Sequence, residues 1–156
     1  MEAWGTPEAY RELMKLISTD FTGPNGLAFS PDEKFLYVGN WDDKHKFINR
    51  YPVTAPGLLG KAELFYDMTR AAGEDAIDGI KVDSKGHVFV SGPGGLWILS
   101  PEGKPLGILH GPEHPHNMAW GDADRRSLHL AAQTGIYRLR LNNLGAGAKP
   151  SEVAIK

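Results

Sequence analysis

The sequence predicts an all-β fold built from repeated four-stranded units, the pattern of a β-propeller. Three observations carry this expectation. Short apolar runs alternate with a period of two residues, as half-buried strands do. The 19 Gly and 11 Pro of the 156 residues fall at short intervals between those runs, where turns belong. One strand-start pattern recurs: Pro24-Asn25-Gly26-Leu27-Ala28-Phe29 superimposes on Ile77-Asp78-Gly79-Ile80-Lys81-Val82 and on His116-Asn117-Met118-Ala119-Trp120-Gly121. Asn25, Asp78 and Asn117 are 53 and 39 residues apart, bracketing the roughly 40–50 residues of a four-stranded propeller blade. A β-sandwich is the competing all-β architecture, but it has no need of a repeated strand start.

The elements follow in order. Residues 1–23 form an N-terminal segment with two open readings. Thr6-Pro7-Glu8 resembles a helix cap with proline at the first helical position, favouring a helix over residues 7–15. The alternative is the outer strand of a preceding blade. Residues 24–156 form the partial propeller of about three blades. In the first, strands are expected at Gly26–Ser30, Phe35–Gly39, Phe47–Val53 and Ala62–Tyr66. The second comprises Gly79–Asp83, His87–Ser91, Leu96–Leu99 and Leu106–His110. The third comprises Asn117–Gly121, Ser127–Ala132, Ile136–Leu141 and Glu152–Ile155. Asp32, Asp83 and Asp122/Asp124 recur near the first hairpin of each unit and suit turns. Gly92-Pro93-Gly94-Gly95 lacks a following lysine or helix, so it reads as a β-turn, not a phosphate loop. Phe29, Phe35, Phe89, Trp97, Trp120 and Tyr137 are expected to pack between blades.

Composition excludes several functions. A formal net charge of -2 with interspersed signs gives no electrostatic footprint for nucleic acid. No apolar run is long enough for a membrane-spanning helix. Met1-Glu2-Ala3-Trp4-Gly5 has neither a basic start nor an apolar core, so no signal peptide is expected and a cytoplasmic location is the default. With no cysteine, disulfides, thiolate metal sites and a cysteine nucleophile are excluded.

The recurrent position carries the chemistry. In a propeller the first strand of each blade lines the central channel, so Asn25, Asp78 and Asn117 face one axis at one end. All three offer side-chain oxygens, which hard divalent cations such as Ca²⁺ prefer. Asn and Asp also favour turns before strands, but the threefold recurrence favours a shared site. The histidines His110, His114 and His116 sit in a proline-stiffened loop, and their spacing of four and two is not a helical metal motif. His116, beside Asn117, is expected to line the substrate pocket.

The stretches Pro24–Asn40, Ile77–Gly107 and His116–Leu141 resemble the gluconolactonase branch of the senescence marker protein/regucalcin family, whose fold is a six-bladed β-propeller. The run Ser91-Gly92-Pro93-Gly94-Gly95-Leu96-Trp97 is especially characteristic. The resemblance implies a divalent cation at the channel mouth, Ca²⁺ foremost, with Zn²⁺, Mg²⁺ and Mn²⁺ as alternatives. Asn25 and Asp78 match two of the family's three ligands; the third, a first-blade Glu, has no counterpart here. Asn117 matches a pocket-side Asn. The activity implied is hydrolysis of a lactone, a sugar lactone foremost, with the cation polarising the ester carbonyl. Asp78 is then both ligand and general base, or a ligand only, with a coordinated water attacking.

Six blades of this size need about 270 residues. The expected ring is therefore completed by a missing N-terminal half, by a separate chain, or by a second copy in a homodimer. The competing function is a non-catalytic propeller fragment or assembly module. A propeller of the strictosidine synthase or organophosphatase type is disfavoured by the Ser91–Trp97 run.

Overall fold

A computed structural model describes residues 15–55 and 58–147. Every regular element in them is a strand, and the strands pair antiparallel in three successive sheets. No helix of the described residues is long and apolar enough to cross a membrane. The expected helix over residues 7–15 and the strand Glu152–Ile155 lie outside the described residues, apart from Lys15. Residues 15–23 contain neither helix nor strand.

The first sheet contains β1 (Pro24–Phe29), β2 (Phe35–Asn40), β3 (Phe47–Ala55), β4 (Leu58–Leu59) and β5 (Glu63–Asp67), with β3 pairing β2, β4 and β5. Strand β4, only two residues long, shows no alternation and was not legible in the sequence. The second sheet runs β6 (Ile80–Val82), β7 (Val88–Gly92), β8 (Gly95–Leu99) and β9 (Pro105–Leu109) in simple order. The third runs β10 (Pro115–Gly121), β11 (Ser127–Ala132) and β12 (Ile136–Arg140). The leading strands adjoin: β6 contacts both β1 and β10.

Strand β7 shows why the sheets stack. Successive side chains of a strand face opposite sides. Val88 and Val90 therefore enter the core between the first two sheets, with Tyr37, Ile48, Phe65, Met68, Ile80, Trp97 and Leu99 among its buried members. Phe89 turns the other way and packs with Leu96, Met118, Leu128 and Leu130 against the third sheet. A strand buried on both faces reads as a continuous apolar run, as this one does. The Trp97 indole nitrogen donates to Pro93 O at 2.9 Å, so its burial leaves no polar atom unpaired. The turn between β7 and β8 contains Gly94 at φ 78, a conformation available to glycine without strain.

Three expectations are corrected. Phe29 is 47% exposed instead of packed between blades. On β1, Gly26 and Ala28 face the second sheet, whereas Leu27 and Phe29 face away from it. Strand β6 starts after Gly79, because the Gly79 N–H leaves its own ladder and donates to His116 O at 2.8 Å. Strand β10 starts earlier than expected, at Pro115, where a missing N–H is tolerated at a strand's first residue. Phe89 and Trp97 are buried, and Phe35, Trp120 and Tyr137 are partly buried against the cores.

Candidate functional site

Two glycines bring the three strand starts together. A Cβ at Gly26 would lie 2.0 Å from Asp78 O and 2.8 Å from Ile80 N. A Cβ at Gly79 would lie 2.7 Å from Asn117 Oδ1 and 2.9 Å from both Asn117 Cα and His116 O. The residues after Asn25 and Asp78 are therefore the points where one sheet's backbone touches the next. Asn25-Gly26 sits on Asp78-Gly79, which sits on His116-Asn117. Only glycine permits so close an approach of backbones.

The donors differ in exposure. Asn25 and Asn117 are exposed, and Asp78 is half-buried, its side chain 29% exposed. Asn117 Oδ1 accepts from Met118 N at 2.8 Å, which fixes the amide and leaves the oxygen a second lone pair. His116 Nδ1 stands 3.6 Å from Asp78 Oδ2. One carboxylate and two amide oxygens suit a hard divalent cation, and the backbone contacts at Gly26 and Gly79 bring their parent residues close. The chemistry of the donor set therefore fits the cation expected from the sequence. About six to eight oxygens surround Ca²⁺, so other groups or water would supply the remaining positions.

The segment leading into Asn25 is pinned by Asn40, which is fully buried. Asn40 Oδ1 accepts from Thr22 N (3.1 Å) and Gly23 N (2.9 Å), while its amide nitrogen donates to His45 O (2.7 Å) and Thr22 Oγ1 (3.1 Å). The segment leading into His116 is pinned by Glu113, whose carboxylate accepts from Thr134 N and Gly135 N, both at 3.0 Å, and from the Thr134 hydroxyl. Those bonds, the Thr134 hydroxyl first, hold the Glu113 carboxyl below its ordinary pKa.

A groove of about 400 Å³ opens where β6 meets the third sheet, lined by Lys81, Asn117, Met118, Ala119, His129, Ala131 and Ile136. Asn117 thus lies in a concavity. His116 does not line it and instead faces Asp78 and His114. Burial lowers the Lys81 pKa, and its ammonium donates to Ile80 O at 3.0 Å. Nothing in the linear sequence pointed to Lys81, because its placement depends on β10 packing beside β6. Asp75 was not singled out either; it approaches His114 across the loop, with Asp75 Oδ2 and His114 Nε2 3.4 Å apart. The third histidine goes elsewhere: His110 Nδ1 is 2.9 Å from Gly94 O.

The family model described as SMP-30/Gluconolactonase/LRE-like region matches residues 8–134. The chain is 33% identical over 138 residues to the gluconolactonase of Zymomonas mobilis, an alignment covering 85% of this chain and 38% of that protein. It is 31% identical over 121 residues to a 6-deoxy-6-sulfogluconolactonase of Pseudomonas putida, covering 76% of this chain and 40% of the relative. Among solved structures, a gluconolactonase of Xanthomonas campestris superimposes with a TM-score of 0.71 at 27% identity, over 81% of this chain and 40% of that one. A calcium-binding protein, regucalcin, from Agrobacterium tumefaciens superimposes with a TM-score of 0.68 at 25% identity, over 83% and 48%. The chain spans less than half the length of each of these relatives. Its sheets are those of a propeller, and the chain belongs to the SMP-30/gluconolactonase/LRE-like family.

Proposed function

We propose that the chain carries the cation- and substrate-binding part of a sugar lactonase, with Asn25 and Asp78 as metal ligands and Asp78 as general base. The observation that supports this most is the backbone stacking through Gly26 and Gly79, which brings the strand starts bearing Asn25, Asp78 and Asn117 next to one another. The names of the relatives, a gluconolactonase and a sulfogluconolactonase, point to a sugar lactone as substrate. A bound divalent cation, Ca²⁺ foremost, supplies Lewis acidity to the lactone carbonyl and stabilises developing oxyanion charge. Asn25 and Asp78 would hold it. The Asp78 carboxylate takes the proton of the attacking water. As the ring C–O bond breaks, that proton passes to the departing alkoxide and the product is the open hydroxy acid. His116 stands beside Asp78, its Nδ1 3.6 Å from Oδ2. Asn117 offers its amide nitrogen and a free lone pair to sugar hydroxyls.

Calorimetric titration of the folded chain with Ca²⁺ tests the site. Binding is expected for the parent and is expected to be lost in Asp78→Ala, along with lactone hydrolysis. No binding of Ca²⁺, Mg²⁺ or Mn²⁺ to the folded parent would sink the proposal.

Closure of the ring is proposed to involve a second copy of this chain. Leu27 (56% exposed) and Phe29 (47%) leave one end of the stack apolar, and Ile136 (82%) does so on the third sheet. Light scattering is expected to return twice the 17.1 kDa of one chain. A monomeric mass at concentrations where the chain is folded rules the second copy out.

A further inference from the structure

Beside the oxygen-donor set lies a cluster of different chemistry. Asp75 occupies the loop between β5 and β6 in a left-handed conformation, φ 72. His114 immediately precedes β10 and His116 belongs to it. Alternate residues of an extended chain face the same side, and the two imidazoles meet edge to face with centroids 5.5 Å apart. One ligand atom from each of Asp75, His114 and His116 lies within 4.8 Å of the others.

A second observation points to a ligand. His114 Nε2 is buried and, among the described residues, has no hydrogen-bond partner. The carboxylate of Asp75 is near, Oδ2 at 3.4 Å, but it is not aligned to accept a hydrogen bond. A buried polar atom left in this state is destabilising. Two ligands at roughly 2.0–2.1 Å from a tetrahedral Zn²⁺ stand about 3.3 Å apart. The separation of 3.4 Å is thus poor for an N–H···O contact and suited to an ion shared between the two groups. Imidazole nitrogen further selects borderline ions such as Zn²⁺, Co²⁺ and Ni²⁺ over Ca²⁺.

The surroundings hold both sides of the cluster in place. Glu113 ties the His114 strand to the β11–β12 turn. Glu74 O accepts from Gly94 N at 3.2 Å, tying the Asp75 loop to the β7–β8 turn.

We infer that Asp75, His114 and His116 form a binding site for a zinc-type divalent ion, distinct from the oxygen donors Asn25, Asp78 and Asn117. The site stands on its own residues and does not depend on the lactonase reading.

The test is Zn²⁺ titration of the folded 156-residue chain in excess Ca²⁺, followed by calorimetry and by NMR of the histidine rings. One Zn²⁺ per chain is expected, with the His114 and His116 signals shifted and His110 unmoved. Altering a group that merely orients a ligand already weakens metal binding about 10–100-fold, so His114→Ala is expected to weaken it about 100-fold or more. His110→Ala is expected to bind as the parent does. A metal-free melting curve shows whether His114→Ala remains folded; if it does not, Asp75→Asn, which leaves the backbone and side-chain size unchanged, takes its place with the same expectation. Parent-like Zn²⁺ affinity in the folded variant, or no shift of the two ring signals, would overturn the site. Loss of Ca²⁺ binding in Asp78→Ala reads the other site separately.

Discussion

Gly26→Ala is expected to lower stability by about 3 kcal/mol or more, at the upper end of what overpacking usually does. The added methyl group would sit 2.0 Å from Asp78 O and 2.9 Å from Gly79 C. Both neighbours are backbone, so no side-chain rotamer can relieve the contact. The sheets must part instead, and they meet here over the core of Ile80, Val82 and Val88. A urea denaturation midpoint measures the loss. Gly107→Ala is the control: a Cβ there has nothing within 4 Å, so its midpoint is expected to stay near the parent's. The same displacement would pull Asn25 from Asp78, so Ca²⁺ affinity should fall in the folded fraction of Gly26→Ala. Equal midpoints for the two variants would show that the close contact between sheets does not govern the fold.

Asp83→Ala is the second large effect, with an expected loss of about 3 kcal/mol or more. The carboxylate is fully buried and has four partners. Oδ1 accepts from Lys85 N and His87 N, each at 2.9 Å; Oδ2 meets His87 Nδ1 and Asn143 Nδ2, each at 2.8 Å. Alanine would leave several part-buried donors without their acceptor. The bond to Asn143 also ties the second sheet to the segment after β12, where Ser84 N donates to Leu144 O at 2.7 Å. Asp83→Asn keeps the volume and one acceptor, so an intermediate loss is expected. Asp32 holds the equivalent turn in the first sheet with its side chain 53% exposed, and Asp32→Ala is expected to be far milder. Chemical denaturation ranks the three; Asp83→Ala no worse than Asp32→Ala would refute the account.

These two positions show what was legible and why. Asp83 was readable as a turn residue, since an aspartate whose side chain accepts from the N–H groups two and four residues onward is a local matter. Its bond to Asn143, 60 positions away in the chain, was not. Gly26 and Gly79 were readable as members of a repeat. Their function as contacts between sheets required the stacking itself. The pairs His114–Asp75 and His116–Asp78 were illegible for the same reason: each joins side chains contributed by different sheets or loops.

From the sequence alone came the all-β class, eleven of the twelve described strands to within a residue or two, and the recurring positions of Asn25, Asp78 and Asn117. Alternation, turn residues and repeat spacing act over a few residues or recur at fixed intervals, so they survive in a linear string. Tertiary structure alone decided which faces of those strands are covered, leaving Phe29 exposed and burying Phe89. It also brought Asp75 to His114 and opened the groove beside Asn117. Those outcomes depend on the distance and angle between sheets, which follow from packing across the whole stack.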